Sequence, residues 1–379
     1  MRATGPPLSR ISVGGTRRCC RTSLRRKEAA MPRLTLATTA SANPMGAQRY
    51  EREVAARAAR ALPPSWDVRH ETIRSLRSAL GGTRRLPMGW LAGSSVNARR
   101  AIGRVAYGSR PGIVHRMDLV LPPGPGANVV TLHDTVAWRF PDESAPITAA
   151  AEELRRADAV ICVSAFTAED AVAFLGLRDP TVVPNGVDER FFRAVPLAPH
   201  VLNASGIEQP YILHTGGASV RKNLEALAES WPIIRGKFPE LTLVLAGPPH
   251  PRRTALFGAL DGALMLGKVA DNLMPGLIAG ASAAIIPSLY EGFGLPAIEA
   301  MAAGTPVVAA DTSALSEVVD GAGLLAAPTA TGIADAVIAV LSDSEEADVL
   351  RIAGRARAAE YTWEHCLAGH SRVWESFGS

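Results

Sequence analysis

The chain has 379 residues and a formal net charge of +4, with 47% hydrophobic and 20% charged residues. This length and balance predict two globular domains, each with its own core, and exclude a wholly disordered chain. No apolar run reaches the roughly 18 residues that a membrane-spanning helix requires. The four cysteines (Cys19, Cys20, Cys162 and Cys366) lack metal-ligand or disulfide spacing, so a reducing cytosol is the expected compartment.

Residues 1–30 differ from the rest because Arg and Lys crowd into a segment that has almost no periodic apolar face. No apolar stretch of the kind found in a secretory signal occurs there. A nucleic-acid-binding arm has no aromatic or structural support, so no nucleic-acid partner is expected. We predict a disordered extension or a wrongly assigned start, with the first strand beginning after Met31.

From Met31 onward the pattern of strand, loop and helix repeats. Predicted strands cover 32–38, 112–115, 128–132, 159–164, 181–183, 211–215, 241–246, 263–266, 283–286, 306–310 and 323–326. Alternating strands and helices predict an α/β protein with parallel sheets and helices on both faces. Helices are predicted over 47–61 and 361–377, and an irregular linker over 193–209. In such folds ligands bind beyond the carboxyl ends of the strands.

The most informative stretch is Pro287–Met301, which follows the apolar segment Ala283–Ile286. Two glycines in its loop allow backbone N–H groups to approach a ligand closely. Pro296 suits the first position of a helix and Gly304 its end, so the positive end of a helix points at the loop. The stretch therefore predicts an anion site, with carboxylates at Glu291 and Glu299.

A second cluster, Arg221–Lys222–Asn223, follows a predicted strand and the pair Gly216–Gly217. The sequence contains no D-x-D motif that could hold Mg²⁺ on a diphosphate. Without such a metal site, Arg221 and Lys222 are the fixed cations that can neutralise an anion there, Arg221 through a bidentate fork and Lys222 as a point charge. No cofactor and no metal are expected. A dinucleotide fingerprint is missing after the first strand, and residues 262–269 fail as a phosphate-binding P-loop because Val269 replaces the hydroxyl residue.

Glu291 and Glu299 bracket G-F-G-L-P and are followed by E-A-M-A-A-G-T-P-V-V-A, a combination that resembles the donor-site signature of the retaining glycosyltransferases of family 4. The resemblance begins at about Leu34 and is best in the C-terminal half. It implies the GT-B fold, in which two Rossmann-like domains face each other across a cleft. The expected parts are an acceptor-side domain over 31–195, a donor domain over 210–355, and a C-terminal helix over 356–379 that crosses back.

The resemblance also implies roles for individual residues. Glu299 would hold the ribose hydroxyls, while Glu291 and the backbone at Phe293 and Gly294 would hold the sugar hydroxyls. His133, at the end of a first-domain strand, would contact the donor sugar near the reaction centre. The remaining expected donor-site positions are Gly46, Gly217, Arg221, Lys222, Gly292 and Leu295. The family usually has paired glycines in the loop that here reads Met45-Gly46-Ala47. Asp134 is expected on the acceptor side, orienting His133 or capping the next element.

The expected activity is metal-independent, retaining transfer of a sugar from a nucleotide-sugar to a glycan or polyprenyl-linked acceptor in cell-envelope polysaccharide synthesis. The R-K-N and Y-E-G-F-G-L-P variants resemble mannosyl- and rhamnosyl-type members and favour GDP-mannose. Two alternatives stay open. One is an epimerase or phosphorylase on the same fold, and the other is a non-catalytic protein that binds nucleotide-sugars.

The expected helical region of the first domain is rich in arginine and poor in acidic residues. Its arginines are Arg49, Arg52, Arg57, Arg60, Arg74, Arg77, Arg84, Arg85, Arg99, Arg100 and Arg104. Such a region is either an ordinary solvated face or a surface attracted to an anionic membrane. The expected location is therefore the cytoplasm, with peripheral contact at the inner face of the membrane as an option.

Overall fold

The structure is a computed structural model that describes residues 31–42, 46–140 and 143–378. The predictions made for residues 1–30 lie outside the described residues. Within the described part, the strands form two parallel sheets, one of seven strands and one of six. The expectation of two Rossmann-like sheets in a GT-B arrangement is confirmed. The domain limits at residues 195, 210 and 355 stay a prediction.

The first sheet has the strand order β3-β2-β1-β4-β5-β6-β7, with all neighbouring strands parallel. Its strands are β1 Arg33–Thr39, β2 Asp67–Ser75, β3 Arg84–Leu86, β4 Ile113–Arg116, β5 Ala127–Leu132, β6 Ala159–Cys162 and β7 Thr181–Val182. The helices between them are α1 Gly46–Ala61, α2 Met88–Gly93, α3 Val96–Tyr107, α4 Val136–Arg139, α5 Ala150–Arg155 and α6 Ala165–Leu175.

The second sheet has the order β10-β9-β8-β11-β12-β13, which repeats the order of the first. Its strands are β8 Tyr211–Thr215, β9 Thr242–Ala246, β10 Ala263–Gly267, β11 Ala283–Ile286, β12 Val307–Ala310 and β13 Leu324–Ala326. The helices are α7 Glu189–Phe192, α8 Pro199–Ala204, α9 Leu224–Lys237, α10 Pro251–Phe257, α11 Met274–Ala279, α12 Leu295–Ala302, α13 Ser313–Val319, α14 Ala330–Ser342 and α15 Ser344–Ala358, and α16 Trp363–Glu375 follows.

Burial explains why the central strands are easy to recognise in the sequence. All four residues of β11 are buried, as expected for a parallel strand with helices on both faces. In α1, Tyr50, Val54 and Ala58 recur every four residues and form the buried face of the helix. In each sheet the strand order reverses beside the first strand, between β1 and β4 and between β8 and β11. Such switch points are where open α/β sheets bind ligands.

The last helix, α16, packs on α1 and completes the core of the first sheet. Thr362 caps it by accepting a hydrogen bond from the His365 amide. Trp374 is fully buried, and its indole N–H donates to His115 Nδ1 at 3.2 Å. We therefore define the first lobe as residues 33–182 with 363–375, and the second lobe as residues 189–358.

Two sequence-based expectations need correction. The arginine-rich region is not helical throughout, because Arg74 lies on β2 and both Arg84 and Arg85 lie on β3. Strand β2 was missed since only Ile73 of its nine residues is buried, so its sequence shows little apolar signal. The expected linker over 193–209 contains the short helix α8, anchored by buried Leu202.

None of the helices in the described part of the chain combines the length and apolarity that crossing a membrane requires.

Candidate active site

The cations of the second lobe lie on a turn that follows β8. After Gly216 and Gly217 the chain forms a single 3₁₀ turn, Val220–Lys222. Asn223 ends it in the left-handed conformation, with φ of 53°. Its side-chain amide donates to the carbonyls of Pro287 and Pro328, each at 3.0 Å. The turn is therefore fixed beside the carboxyl end of β11.

Because the turn is placed there, Arg221 and Lys222 both form ion pairs with Glu291. Lys222 Nζ lies 2.5 Å from Glu291 Oε1, and Arg221 Nη1 lies 3.4 Å from Glu291 Oε2. The Ser288 hydroxyl donates to Glu291 Oε1 at 2.7 Å, and the Glu291 amide donates to Ser313 Oγ at 3.0 Å. Residues separated by about 70 positions in the chain thus form one compact charged cluster.

The electrostatics of the cluster keep Glu291 ionised. Burial alone would raise the pKa of this carboxyl, which is only 7% exposed. The positive charges of Lys222 and Arg221 and the hydrogen bonds from Lys222 and Ser288 outweigh burial, so the pKa of Glu291 lies below its usual value. The group is therefore a fixed anion between two fixed cations at neutral pH.

The loop after Glu291 ends at the N-terminus of α12. Gly294 precedes the helix with φ of 106°, a conformation that favours glycine, and Pro296 occupies the first turn. The Phe293 ring is buried and packs against Tyr361, with centroids 5.5 Å apart. Across the cleft, a Cβ at Gly46 would lie 3.1 Å from Leu295 Cδ1, which shows how closely α1 approaches this helix end.

Gly217 follows β8, and its carbonyl oxygen accepts a hydrogen bond from Arg253 Nη2 at 3.2 Å. Among the described residues, no atom beyond its chain neighbours lies within 4 Å of the place that a Cβ would take. The open space beside its backbone is suited to a ligand. Gly46 of the first lobe and Leu295 of the second lobe therefore approach each other closely, while Arg221 and Lys222 are held on Glu291.

Glu299, one turn into α12, belongs to a separate part of the same cleft. The space beside it has a volume of about 230 Å³ and is lined by residues of both lobes, including Arg49, Asp188, Asp271 and Trp363. Arg49 Nη1 lies 3.4 Å from Glu299 Oε1, and Arg49 Nη2 lies 2.8 Å from Asp271. Burial raises the pKa of Glu299 to about 7, although Arg49 opposes the rise. Its charge therefore changes near neutral pH.

His133 lies directly after β5 in the first lobe. Its ring packs edge-on against Tyr50, with centroids 4.8 Å apart. Burial lowers the pKa of His133, while the charges of Asp134 and Asp118 and a hydrogen bond to the Met117 backbone act in the other direction. The Nε2 atom is buried and has no hydrogen-bond partner within the described residues. A neutral imidazole with one uncommitted nitrogen can accept a proton or a hydrogen bond from a ligand.

Gly292 brings the loop of Glu291 against His133. A Cβ at Gly292 would lie 2.0 Å from the His133 carbonyl oxygen, so only glycine permits this approach. Asp134 has a local role: its Oδ1 accepts the Val136 amide at 3.0 Å and caps the start of α4. Of the two roles expected for Asp134, the structure shows the capping contact.

Several polar side chains of this site were not assigned from the sequence. Glu143 accepts hydrogen bonds from both the backbone amide and the Nε of Arg221, at 3.2 and 3.1 Å. Tyr290 contacts Thr135 across the cleft, and Arg49 contacts Glu299. Tyr290 lies in the motif stretch, but neither Glu143 nor Thr135 lies near any motif, so the sequence carries no signal for either.

No group of three or more His, Cys, Asp or Glu side chains able to hold a metal ion occurs in residues 31–42, 46–140 and 143–378. A larger cavity of about 670 Å³ lies between the amino ends of β6 and β7 and the helix α16, and none of the sequence-predicted site residues lines it.

Two models of known protein families match this chain. Residues 45–191 match the family model described as Glycosyltransferase Family 4, and residues 209–343 match the model described as Glycosyl transferases group 1. The two matches fall on opposite sides of the cleft, and together they span most of the described chain.

Curated relatives are of modest identity. The chain is 34% identical over 169 residues to the O-antigen chain mannosyltransferase B of Escherichia coli, covering 42% of this chain and 44% of that protein. It is 31% identical over 219 residues to the GDP-mannose-dependent alpha-(1-6)-phosphatidylinositol dimannoside mannosyltransferase of Mycobacterium tuberculosis, covering 56% of each. The chain spans about half the length of the curated relatives it matches.

Among solved structures, the sucrose-phosphate synthase of Thermosynechococcus elongatus superimposes with a TM-score of 0.68 over 90% of this chain and 98% of that one. The sequence identity is 22%, so this likeness concerns the fold alone.

Proposed function

The chain belongs to glycosyltransferase family 4, and from this membership we propose that it transfers a sugar from a nucleotide-sugar donor to a glycan or lipid-linked acceptor. The observation that carries the proposal is the cluster of Glu291, Lys222 and Arg221 near the N-terminus of α12, in a loop that packs against the His133 backbone at Gly292. A diphosphate leaving group and a sugar would each find complementary groups there. We place the reaction in cell-envelope polysaccharide synthesis.

The proposed mechanism begins with charge on the leaving group. As the bond between sugar and diphosphate breaks, negative charge grows on the diphosphate, and Lys222, Arg221 and the positive end of α12 stabilise it. Because these groups are already fixed by Glu291 and Asn223, little reorganisation is needed during the reaction. Fixed cations of this kind support a reaction that needs no metal ion.

The sugar itself would be held by Glu291 and the backbone at Gly292, Phe293 and Gly294. The ionised Glu291 carboxylate accepts hydrogen bonds from sugar hydroxyls and lies near the positive charge that develops on the sugar ring. His133 Nε2 approaches from the other lobe and hydrogen-bonds the sugar near the reaction centre. Since Glu291 is held between two cations rather than poised as a nucleophile, we expect the acceptor to attack on the face that the diphosphate leaves, with retention of configuration.

GDP-mannose is the proposed donor. The R-K-N and Y-E-G-F-G-L-P sequences favour it, and the mycobacterial relative is named as a GDP-mannose-dependent enzyme. Glu299 would bind the ribose hydroxyls in the cleft of about 230 Å³, after Arg49 has moved away from it. The first lobe, with His133 and Asp134, would take the acceptor.

We also propose a cytoplasmic location with peripheral binding at the inner face of the membrane. The arginines Arg52, Arg60, Arg77, Arg100 and Arg104 are exposed on the first lobe and support this. Each cation that reaches an anionic surface contributes about 1 kcal/mol. Arg99 is not one of them, because it is fully buried and pairs with Glu153. Co-sedimentation with phosphatidylglycerol vesicles but not with phosphatidylcholine vesicles is the expected result, and equal binding to both contradicts the proposal.

The direct test is a thermal-shift panel of nucleotide-sugars followed by a transfer assay. GDP-mannose and GDP should raise the Tm of the protein. The protein should consume GDP-mannose faster when a membrane extract supplies the acceptor. Consumption that does not depend on acceptor favours an epimerase, and phosphate-dependent consumption favours a phosphorylase. Binding with no turnover favours the non-catalytic alternative. Transfer should survive excess EDTA, and activity restored only by Mg²⁺ or Mn²⁺ contradicts metal independence.

A further inference from the structure

Tyr290 has no role in the mechanism above, yet it links the two lobes at the reaction centre. It directly precedes Glu291 and is only 2% exposed. Its ring packs between Phe140 and Phe166 of the first lobe, and both ring centroids lie 5.6 Å from its own. The Arg139 guanidinium lies over the same ring at 5.7 Å. A residue of the second lobe is therefore enclosed by the first.

The Tyr290 hydroxyl is fully engaged in this environment. It accepts the Thr135 amide at 2.9 Å and lies 2.9 Å from Thr135 Oγ1. It also donates to Asp170 Oδ2 at 3.3 Å. Asp170 is held in turn by the Thr135 hydroxyl and by Arg139, whose Nε donates at 2.8 Å. The Tyr290 hydroxyl therefore belongs to a hydrogen-bond network in which Thr135, Asp170 and Arg139 hold one another in place.

The contact between Tyr290 and Thr135 matters because each residue lies close in the chain to a residue of the proposed site. Thr135 lies two residues after His133, and Tyr290 lies one residue before Glu291. A second contact fixes the same loop, since the Gly292 carbonyl accepts the hydroxyls of Ser164 and Thr167 at 2.6 and 2.9 Å. The loops that carry the two groups facing the sugar are therefore joined directly to each other.

We propose that Tyr290 is a positioning residue whose hydroxyl, held by Thr135 and Asp170, sets the placement of Glu291 relative to His133. The inference rests on the proposed function. Groups that act on one substrate from different lobes need a fixed separation, and a misplacement of about 1 Å can cost about a hundredfold in rate. Packing of the ring would hold the lobes together in either case, whereas the hydroxyl bonds the loop of Glu291 directly to the Thr135 backbone in the loop of His133.

The test compares Tyr290→Phe with Tyr211→Phe. Tyr211 is a matched control, because it is also fully buried and its hydroxyl donates to the Leu277 carbonyl at 2.6 Å, inside the second lobe. Both variants lose one buried hydroxyl and keep the ring, so both should lower Tm. Only Tyr290→Phe should lower kcat for turnover of GDP-mannose, or of whichever nucleotide-sugar the wild type turns over, by about tenfold. GDP affinity should stay within about twofold. Equal kcat in the two variants overturns the inference.

A second measurement does not depend on turnover. The ring nitrogens of His133 can be followed by NMR and assigned from their loss in His133→Gln. Tyr290→Phe should shift them, while Tyr211→Phe should leave them in place; unshifted His133 signals in Tyr290→Phe overturn the positioning role. A wild-type protein that turns over no nucleotide-sugar defeats the proposed function, and the NMR comparison then still decides whether Tyr290 sets the placement of the His133 loop.

Discussion

The two lobes hold their polar groups in opposite ways. In the second lobe the site is built from full charges, with the Glu291 carboxylate between Lys222 and Arg221. In the first lobe the histidines behind the site are neutral. Burial lowers the pKa values of His115, His133 and His370, so all three imidazoles are uncharged at neutral pH.

The neutral groups of the first lobe form one continuous chain of hydrogen bonds. Since the Trp374 indole donates to His115 Nδ1, the His115 Nε2–H donates to Thr131 Oγ1 at 2.8 Å. At the other end, His370 Nδ1–H donates to the Cys366 carbonyl at 2.8 Å, which leaves its Nε2 to accept the Tyr50 hydroxyl at 2.6 Å. Tyr50 in turn supports the ring of His133.

This difference suggests a division of labour. A lobe with fixed charges can stabilise the charge that develops on a leaving diphosphate. A lobe with neutral, directional hydrogen bonds can orient an acceptor without attracting the diphosphate to the wrong side. Substitutions in each lobe test this difference. Removing a charge from the second lobe should affect the rate and donor binding, whereas removing a neutral group from the first lobe should affect stability.

The largest expected effect is that of Glu291→Gln. The substitution keeps the shape but removes the anion beside the developing positive charge, so kcat should fall by roughly 100- to 1000-fold. GDP affinity should be unchanged or higher, because Lys222 loses its partner in the protein. Steady-state kinetics and calorimetry measure the two effects. The control is Glu360→Gln, which removes an exposed carboxylate that pairs with Arg357. If Glu291→Gln loses GDP affinity together with kcat, Glu291 binds the nucleotide part instead.

Lys222→Ala should have the next largest effect. It removes a charge-assisted contact to the diphosphate, worth roughly 1.5–3 kcal/mol, or about ten- to more than a hundredfold in kcat/KM. Part of the loss should appear in kcat, since the diphosphate gains charge as it leaves. Lys237→Ala, which removes an exposed lysine from the end of α9, serves as the control. A kcat/KM equal to that of the control refutes the role of Lys222.

Glu299→Gln should weaken GDP binding by about tenfold with a smaller effect on kcat, because the ribose does not change charge during transfer. Its pH dependence is more specific. With a pKa raised to about 7, Glu299 is mostly protonated at pH 6 and ionised at pH 8, so the wild type should bind GDP more tightly at the higher pH. Calorimetry at both pH values should show this rise, after subtraction of the same titration in Glu299→Gln. An identical rise in the variant assigns the effect to another group.

The smallest effect on activity is expected from Glu51→Gln in the first lobe. Burial, with the nearby charge of Asp118, raises the pKa of Glu51 to about 8. The folded protein then keeps a proton that the unfolded chain releases above its usual pKa, so stability is lost as pH rises from about 4.5 toward 8. Glu51→Gln cannot ionise, and its Tm should exceed that of the wild type increasingly between pH 6 and pH 9. A difference in Tm between Glu51→Gln and the wild type that stays constant over this pH range contradicts a neutral Glu51 carboxyl.

The same contrast explains what the sequence could predict. The charged cluster was found because its members sit in two short segments that follow apolar strands, where strand ends and glycines are visible locally. The central strands of both sheets were found for the same reason. Strand β2 was not, since its neighbours cover little of it and Ile73 alone is buried. Thr135, Glu143 and Asp170 were missed because their importance arises only from contacts across the cleft, which no local pattern encodes.

The packing of α16 on α1 also constrains how the protein is made. Leu34 and Leu36, near the start of the described chain, share one core with Trp363, Leu367 and Trp374 near its end. The ribosome adds only about 5–20 residues per second. The first lobe is thus the first to be synthesised and the last to be completed, and it exposes apolar surface while the whole second lobe is being made. Newly made chains should therefore depend on chaperones until synthesis ends, although the finished protein buries that surface fully.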